Sequence, residues 1–307
     1  SIAEIGCVAS GAKFVGVMAT DGCLDTRLYQ AAVEATGRFA IVPDATDLTE
    51  LMRCVHAVKA GDQGSLVAEG VKGVAQSLVD QGAEVVIAGC TEIPIVFDGT
   101  DFPVPVISST DVLAKRTLAL AMGYNRWLAD IYRQGGNRLR WAVILPTMSI
   151  EKSIEEMNFG KENGACGVFM RGIEGPHRLT DPYLHPLWEE AQRLDLPICI
   201  HAATGNFGFF DYFGRDAGFS TFKLPAVGAF HDIVMRDMHK KFPDLRWAFV
   251  EVSASWLPYA MNDLSLRFEK RGVAWAGREL LEERNIWVAV QTADDIDYII
   301  DCAGEDR

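Results

Sequence analysis

What most constrains this chain is a regular alternation of short, β-rich apolar runs with stretches of helical periodicity. From Phe14 the runs FVGVMA, FAIVP, EVVIAG and VPVISS are separated by DTRLYQAAVEAT and by a long helical segment ending in VKGVAQSLVDQG. Strands separated by helices of about a dozen residues must cross over rather than turn back, which gives right-handed βαβ units and a parallel sheet. Residues 1–121 are therefore expected to form a doubly wound α/β lobe. The following stretch, DVLAKRTLALAMGYNRWLADIYRQGG, reads as one helix opened by Ser109, Thr110 or Asp111 and closed by Gly135-Gly136. Its interior Gly123 costs about 1 kcal/mol in a helix and marks a seam, so the domain boundary is placed near it.

Beyond the seam, in residues 122–307, the alternation resumes as LRWAVIL, GVFMR, PICIH, RWAFVE and NIWVAVQ, each preceded by a helical segment. Five β units in series, with no tight hairpins, predict an incomplete (β/α) TIM-barrel-like lobe whose chemistry sits at the carboxyl ends of its strands. The expected fold class is α/β throughout. Five strands cannot close an eight-stranded barrel, and open edges invite a second copy or a partner chain.

The totals exclude several functions. A formal charge of −13 without any Lys/Arg cluster argues against a nucleic-acid surface. No apolar run approaches the roughly 18 residues that a membrane span needs. The seven cysteines are odd in number and free of C-x-x-C spacing, as expected of reduced thiols in a cytoplasmic protein. The opening SIAEIGCVASGAK lacks an initiator Met, an expectation that the chain begins inside a longer parent.

Chemistry-bearing residues fall at strand ends. Cys90 follows the buried run VVIA and a Gly turn, at the edge where open α/β sheets bind ligands. If the next segment is helical, its amides favour a thiolate that acts as base or nucleophile. The alternative is a buried cysteine serving as a small hydrophobe. His201 and Glu251 end the third and second from last β units, respectively. His201 suits a zinc-like divalent ion, or is a core histidine bonded to a carbonyl. Glu251 is a further ligand, an Arg partner or a helix cap. His177 lies in a Gly-Pro loop and is a minor candidate, whereas His56, His185, His231 and His239 read as ordinary. Asp294 and Asp295 read as a helix N-cap and first-turn pair. The glycines of KAGDQG and TGNFG read as loop punctuation.

The strings KFVGVMATDGCLDTRLYQ, VHAVKAGDQG, GCTEIP and VPVISSTDVLAKRTLALA resemble the C-terminal half of the aspartate/glutamate racemase family over roughly residues 13–121. That resemblance implies a cofactor-independent site in which Cys90 is one of two catalytic thiols, followed by Thr91 and Glu92, with Thr20 near the substrate carboxylate. Inverting a carbon needs one acid/base on each face. The family's other thiol lies in a C-N-T context that this sequence lacks; Cys7 and Cys23 are read as structural. A lone thiol suits a one-base reaction.

LTDPYLHPLWEEAQRLDLPICIHAATG, RWAFVEVSASWLP and NIWVAVQTADDIDYIIDCAGEDR resemble the amidohydrolase-related, aminocarboxymuconate-semialdehyde decarboxylase-like family over about residues 124–307. The resemblance implies metal-dependent hydrolysis or decarboxylation of a small carboxylated substrate, with His201 and Glu251 as metal ligands. The family's H-x-H is missing, and its last aspartate would follow Gly304-Glu305-Asp306-Arg307. The competing expectation is a catalytically incomplete fusion or fragment that binds or scaffolds.

Overall fold

The computed structural model describes residues 11–136, 138–206, 208–209 and 218–304. Cys7 and Glu305 to Arg307 lie outside them. The chain divides into two compact units, Ser1–Ala119 and Leu120–Arg307, and the helix Ser109–Gln134 runs unbroken through Gly123.

The first unit holds four parallel strands, β1 (Phe14–Met18), β2 (Phe39–Ile41), β3 (Val85–Ala88) and β4 (Val106–Ser108), in the order β2-β1-β3-β4. All four residues of β3 are buried because both faces of the sheet are covered. Val85 and Ile87 pack with Leu24, Tyr29 and Val33 on one face, whereas Val86 and Ala88 pack with Leu51, Val55, Val71 and Leu78 on the other. Each such side chain contributes about 1.5–3 kcal/mol when fully buried. That double covering, rather than alternation, is what an unbroken apolar run encodes. The helix Ala45–Lys59 behind this face starts where Asp44 accepts from the Thr46 and Asp47 amides.

The second unit carries β5 (Ala142–Ile144), β6 (Gly167–Arg171), β9 (Ile198–His201), β10 (Trp247–Val250) and β11 (Ile286–Val288) in one parallel sheet, ordered β11-β10-β9-β6-β5. Strand order follows chain order, as sequential βαβ winding requires. Among the described residues the sheet does not close into a barrel. Its core includes the fully buried Trp188 and Trp247, which meet edge to face at 5.4 Å.

Two expectations are corrected here. A tight hairpin does occur, β7 (Ile173–Glu174) against β8 (His177–Arg178), turned by Gly175 at φ 56° and Pro176. The β5 edge is also not bare. Asn125, on the helix Ser109–Gln134 and wholly buried, gives its Nδ2 to Ile144 O at 2.9 Å and accepts Ile144 N on Oδ1 at 3.0 Å. One side-chain amide thus reproduces the pairing a neighbouring strand would make. Its Nδ2 also reaches the buried Glu156 at 2.7 Å, and Glu156 is further held by Arg126.

Candidate functional site

In the first unit, sheet register places the proposed residues side by side. Met18 pairs with Ala88, so Thr20 and Cys90, each two residues further on, leave the same carboxyl edge on adjacent strands. Gly89 allows this closeness: its amide donates to Met18 O at 2.7 Å, and a Cβ there would lie 2.8 Å from the Tyr29 ring. Thr20 begins the helix Asp21–Asp25 through its carbonyl, while its hydroxyl makes no capping bond.

Cys90 is 8% exposed and belongs to the same hydrophobic face as Val86 and Ala88. Its thiol donates to Glu92 Oε2 at 2.7 Å, the Thr91 hydroxyl donates to the same oxygen at 2.9 Å, and Lys59 Nζ lies 3.9 Å from Oε1. Burial, then the hydrogen bond to Glu92, pushes the thiol up to about 11. The Glu92 carboxyl is held below its usual range, chiefly by the proton that Cys90 donates. The expectation of a thiolate favoured by a following helix is therefore corrected. That helix, Ile93–Val96, has four residues, too short for a useful dipole, and the neighbour is a carboxylate. Cys90 is a proton-bearing acid. Cys23, in the helix Asp21–Asp25, is a partly buried thiol also raised by burial.

In the second unit, Arg171, His201 and Val250 are register partners across β6, β9 and β10, which brings Arg171, His201 and Glu251 to one carboxyl edge. His201 Nε2 lies 2.6 Å from Glu251 Oε2, and Nδ1 lies 3.0 Å from Ala202 O. A carbonyl only accepts, so Nδ1 carries a hydrogen and Nε2 faces the carboxylate across one bridging proton. The Phe169 ring packs at 5.3 Å from the imidazole.

Beside this pair is a cavity of about 410 Å³ at the ends of β5, β6 and β9, lined by Leu145, Phe169, Arg171, Glu174, His201 and Phe222 among others. Arg171 donates from Nε and Nη2 to the buried Glu174 carboxylate at 3.1 and 2.7 Å. That pairing raises the guanidinium further, and among the described residues Nη1 has no acceptor. Gly205 covers the ion pair. A Cβ there would lie 2.9 Å from both Arg171 Nη2 and Glu174 Oε2, so this glycine of TGNFG is a close-approach position rather than punctuation.

The backbone around Glu251 is unusual. Glu251 and Ser253 have φ of 58° and 62°, and Ala203, two residues past His201, has φ 93°. Side chains with a Cβ rarely adopt this conformation, and it persists where the surroundings enforce it. Bonded to this turn is Asp294, which takes the Ser253 and Ser255 hydroxyls on Oδ1 and the Ala254 and Gln291 amides on Oδ2. Bonds to an ionised carboxylate contribute about 1.5–3 kcal/mol each, whereas an exposed ion pair such as His201–Glu251 contributes about 0–1 kcal/mol. Asp295 alone is the helix cap, accepting from Tyr298 N. In E-x-x-x-x-W-x-P, Trp256 donates Nε1 to Ser253 O at 2.7 Å and packs on Phe230 and Phe249, and Pro258 opens the helix Leu257–Lys270.

His177 pairs with Asp181 at 3.2 Å and stacks on Tyr183; His231 pairs with Asp263 and His239 with Arg284. The sequence reading leaves Arg171 and Glu174 unmarked, and takes Gly205 for loop punctuation and Asp294 for half of a helix-cap pair. Arg171 was findable, because it ends a strand as His201 does.

The donors of the described residues do not by themselves make up a metal centre. Among the described residues no three His, Cys, Asp or Glu side chains converge on one point. Two ligands of one zinc-like ion stand roughly 3.3 Å apart at tetrahedral angles, whereas His201 and Glu251 are joined directly.

Residues 80–307 match the family model described as Amidohydrolase, and residues 2–117 match the one described as Asp/Glu/Hydantoin racemase. An uncharacterized protein of the pnlA 3' region in Pectobacterium carotovorum subsp. carotovorum is 27% identical over 130 residues, 41% of this chain and 86% of its own. Among the solved structures that share the fold are two decarboxylases. 5-Carboxyvanillate decarboxylase from Novosphingobium aromaticivorans, with bound manganese and 3-methoxy-4-hydroxy-5-nitrobenzoic acid, has TM-score 0.53 and 18% identity, over 96% of this chain and 84% of that one. 2,6-Dihydroxybenzoate decarboxylase from Rhizobium has TM-score 0.53 and 14% identity, over 75% and 73%. The chain spans about half, 48%, of the Yersinia pestis Asp/Glu racemase-type chain that it matches.

Proposed function

The chain belongs to the amidohydrolase family, and from that premise we propose that its second unit performs acid–base chemistry, decarboxylation or hydrolysis, on a small carboxylated substrate seated beside His201. The observation that carries this is the 2.6 Å contact with Glu251 Oε2 made by Nε2 of His201, a residue that lines the cavity. The bond from Nδ1 to Ala202 O orients the ring and leaves the Nε2–Glu251 pair to exchange a proton. In a decarboxylation the carbon–carbon bond breaks, carbon dioxide leaves, and the proton held between Nε2 and Glu251 passes from this pair to the electron pair left on carbon. In a hydrolysis the same pair, without that proton, accepts one from the attacking water. Glu251 stabilises the imidazolium in both cases, and Arg171 Nη1 is a donor for a substrate oxygen. Two of the solved structures that share this fold are decarboxylases, and one of them holds manganese. This chain's described residues supply two facing donors, so none of these steps is routed through an ion.

The test is turnover of a panel of small mono- and dicarboxylates by the full chain, following carbon dioxide release and ester or amide cleavage, with and without added manganese or zinc. Turnover is expected to fall about a hundredfold in His201→Asn and Glu251→Gln. Unchanged rates in both variants, or no turnover under either condition, sink the proposal.

For the first unit the proposal is proton transfer next to a carboxylate, with Cys90 as a single cofactor-free acid, Glu92 taking and returning its proton, Thr91 steadying Glu92 and Thr20 facing the carboxylate. The match over residues 2–117 and the Cys90–Glu92 contact support it. The burial of Cys90 among hydrophobic side chains favours a second reading, that this unit binds or scaffolds. Solvent deuterium incorporation at the α-carbon of aspartate or glutamate separates the two. A cytoplasmic setting and a further copy or partner at an open sheet edge belong to the same proposal. Six described cysteines are free, and among the described residues no helix is long and apolar enough to cross a membrane.

A further inference from the structure

We propose that Asp294 is a positioning residue: by locking the turn after β10 in its left-handed form, it holds the Glu251 carboxylate on His201. The inference rests on the reading of that pair given above, and reaches beyond it to a residue that touches neither member. Glu251 is placed by its backbone, since its side chain is 71% exposed and His201 is its partner among the described residues. That backbone is strained at both ends of the fully buried Val252, with φ of 58° at Glu251 and 62° at Ser253. A turn of this kind relaxes toward right-handed or extended values unless something outside it supplies restraint.

Asp294 reaches the turn from the loop after β11, some forty residues away in sequence, and spends both carboxylate oxygens on it. Oδ1 takes the hydroxyls of Ser253 and Ser255. Oδ2 takes the Ala254 amide at 2.8 Å and ties it to the Gln291 amide, also at 2.8 Å. The ends of β10 and β11 are thereby fixed to each other through one carboxylate. Relaxation of Ser253 would carry Glu251 away from Nε2, because the two residues share one short turn.

The readout is the side-chain nitrogen NMR signal of His201 at fixed pH, which reports the Glu251 contact without requiring turnover. Glu251→Gln sets the displacement that loss of the contact produces. Asp294→Ala is expected to displace the signal to roughly the same extent. Adding Ser253→Gly to Asp294→Ala is expected to return it toward wild type, since glycine adopts the left-handed conformation without restraint. Asn125→Ala, a destabilising change elsewhere in the unit, is expected to leave it in place. A wild-type signal in Asp294→Ala overturns the proposal while leaving the His201–Glu251 reading intact. No displacement in Glu251→Gln overturns both. Failure of the glycine to rescue also overturns it, because an electrostatic or purely structural role would not respond to backbone freedom. Should Asp294→Ala not fold, Ser255→Ala removes one bond of the clamp, and a smaller displacement in the same direction is required.

Discussion

Cys90 and Glu92 share one proton across 2.7 Å, the thiol donating and the carboxylate accepting. The sulfur at this strand end is an acid held in readiness and not a preformed nucleophile. With the thiol pushed up to about 11, only about one molecule in ten thousand carries the thiolate at pH 7.

Alkylation of Cys90 by iodoacetamide is accordingly expected to be slow at pH 7 and to rise about tenfold per pH unit until the pH nears 11. Glu92→Gln removes the carboxylate that favours the protonated thiol, and the rate at pH 8 should increase about tenfold, the equivalent of one pKa unit. Peptide mapping by mass spectrometry reads both.

Asn125→Ala deprives Ile144 of two edge bonds and removes one partner of the buried Glu156. Leaving such groups unpaired costs about 1–3 kcal/mol each, so urea unfolding of the full chain should show a loss of about 2–4 kcal/mol. An unchanged midpoint would mean that the amide is not bonded to the strand.

Two glycines near the end of β6 predict opposite signs. A Cβ on Gly172 would lie 2.1 Å from Pro225 O and 2.7 Å from Ala226 N, main-chain atoms that cannot swing aside. Gly172→Ala should destabilise by about 3 kcal/mol as the helix Leu224–Met235 is forced outward. Gly228, on that same helix, has open space around it, and Gly228→Ala should stabilise by about 0.5–1 kcal/mol. Thermal melting distinguishes them.

Asp294 gives the second unit an acid limb. Burial raises its carboxyl, but the four hydrogen bonds it accepts outweigh burial and hold it below the ordinary carboxylate range. A group depressed on folding contributes stability above its unfolded value near 3.9 and loses it as pH falls through the folded value. The denaturation midpoint is expected to be steady from pH 7 to about 5 and to drop below about 4. In Asp294→Asn it should be lower at neutral pH and flatter in acid. Identical acid limbs would rule out this source.

Much of the fold was legible because βαβ alternation is local and periodic. His201 and Glu251 were legible for the same reason, as polar residues that end apolar strands. Asp294 was not, because it precedes a true cap, Asp295, and its own partners lie 39 to 41 residues upstream apart from Gln291. The state of Cys90 was also hidden. A helix after the strand promised a positive field, but its length and the direction of the Glu92 side chain belong to the folded chain. Asn125 reads as an ordinary helix residue until the neighbouring strand is in place.

The plug that Asn125 sets on β5 makes the five-stranded sheet a one-ended template. Among the described residues no strand lies beyond β11, and if copies of this chain pair there, as proposed above, they would join about a two-fold axis and then stop. A ladder with a single live rim terminates at a pair, whereas one live at both rims would polymerise without limit.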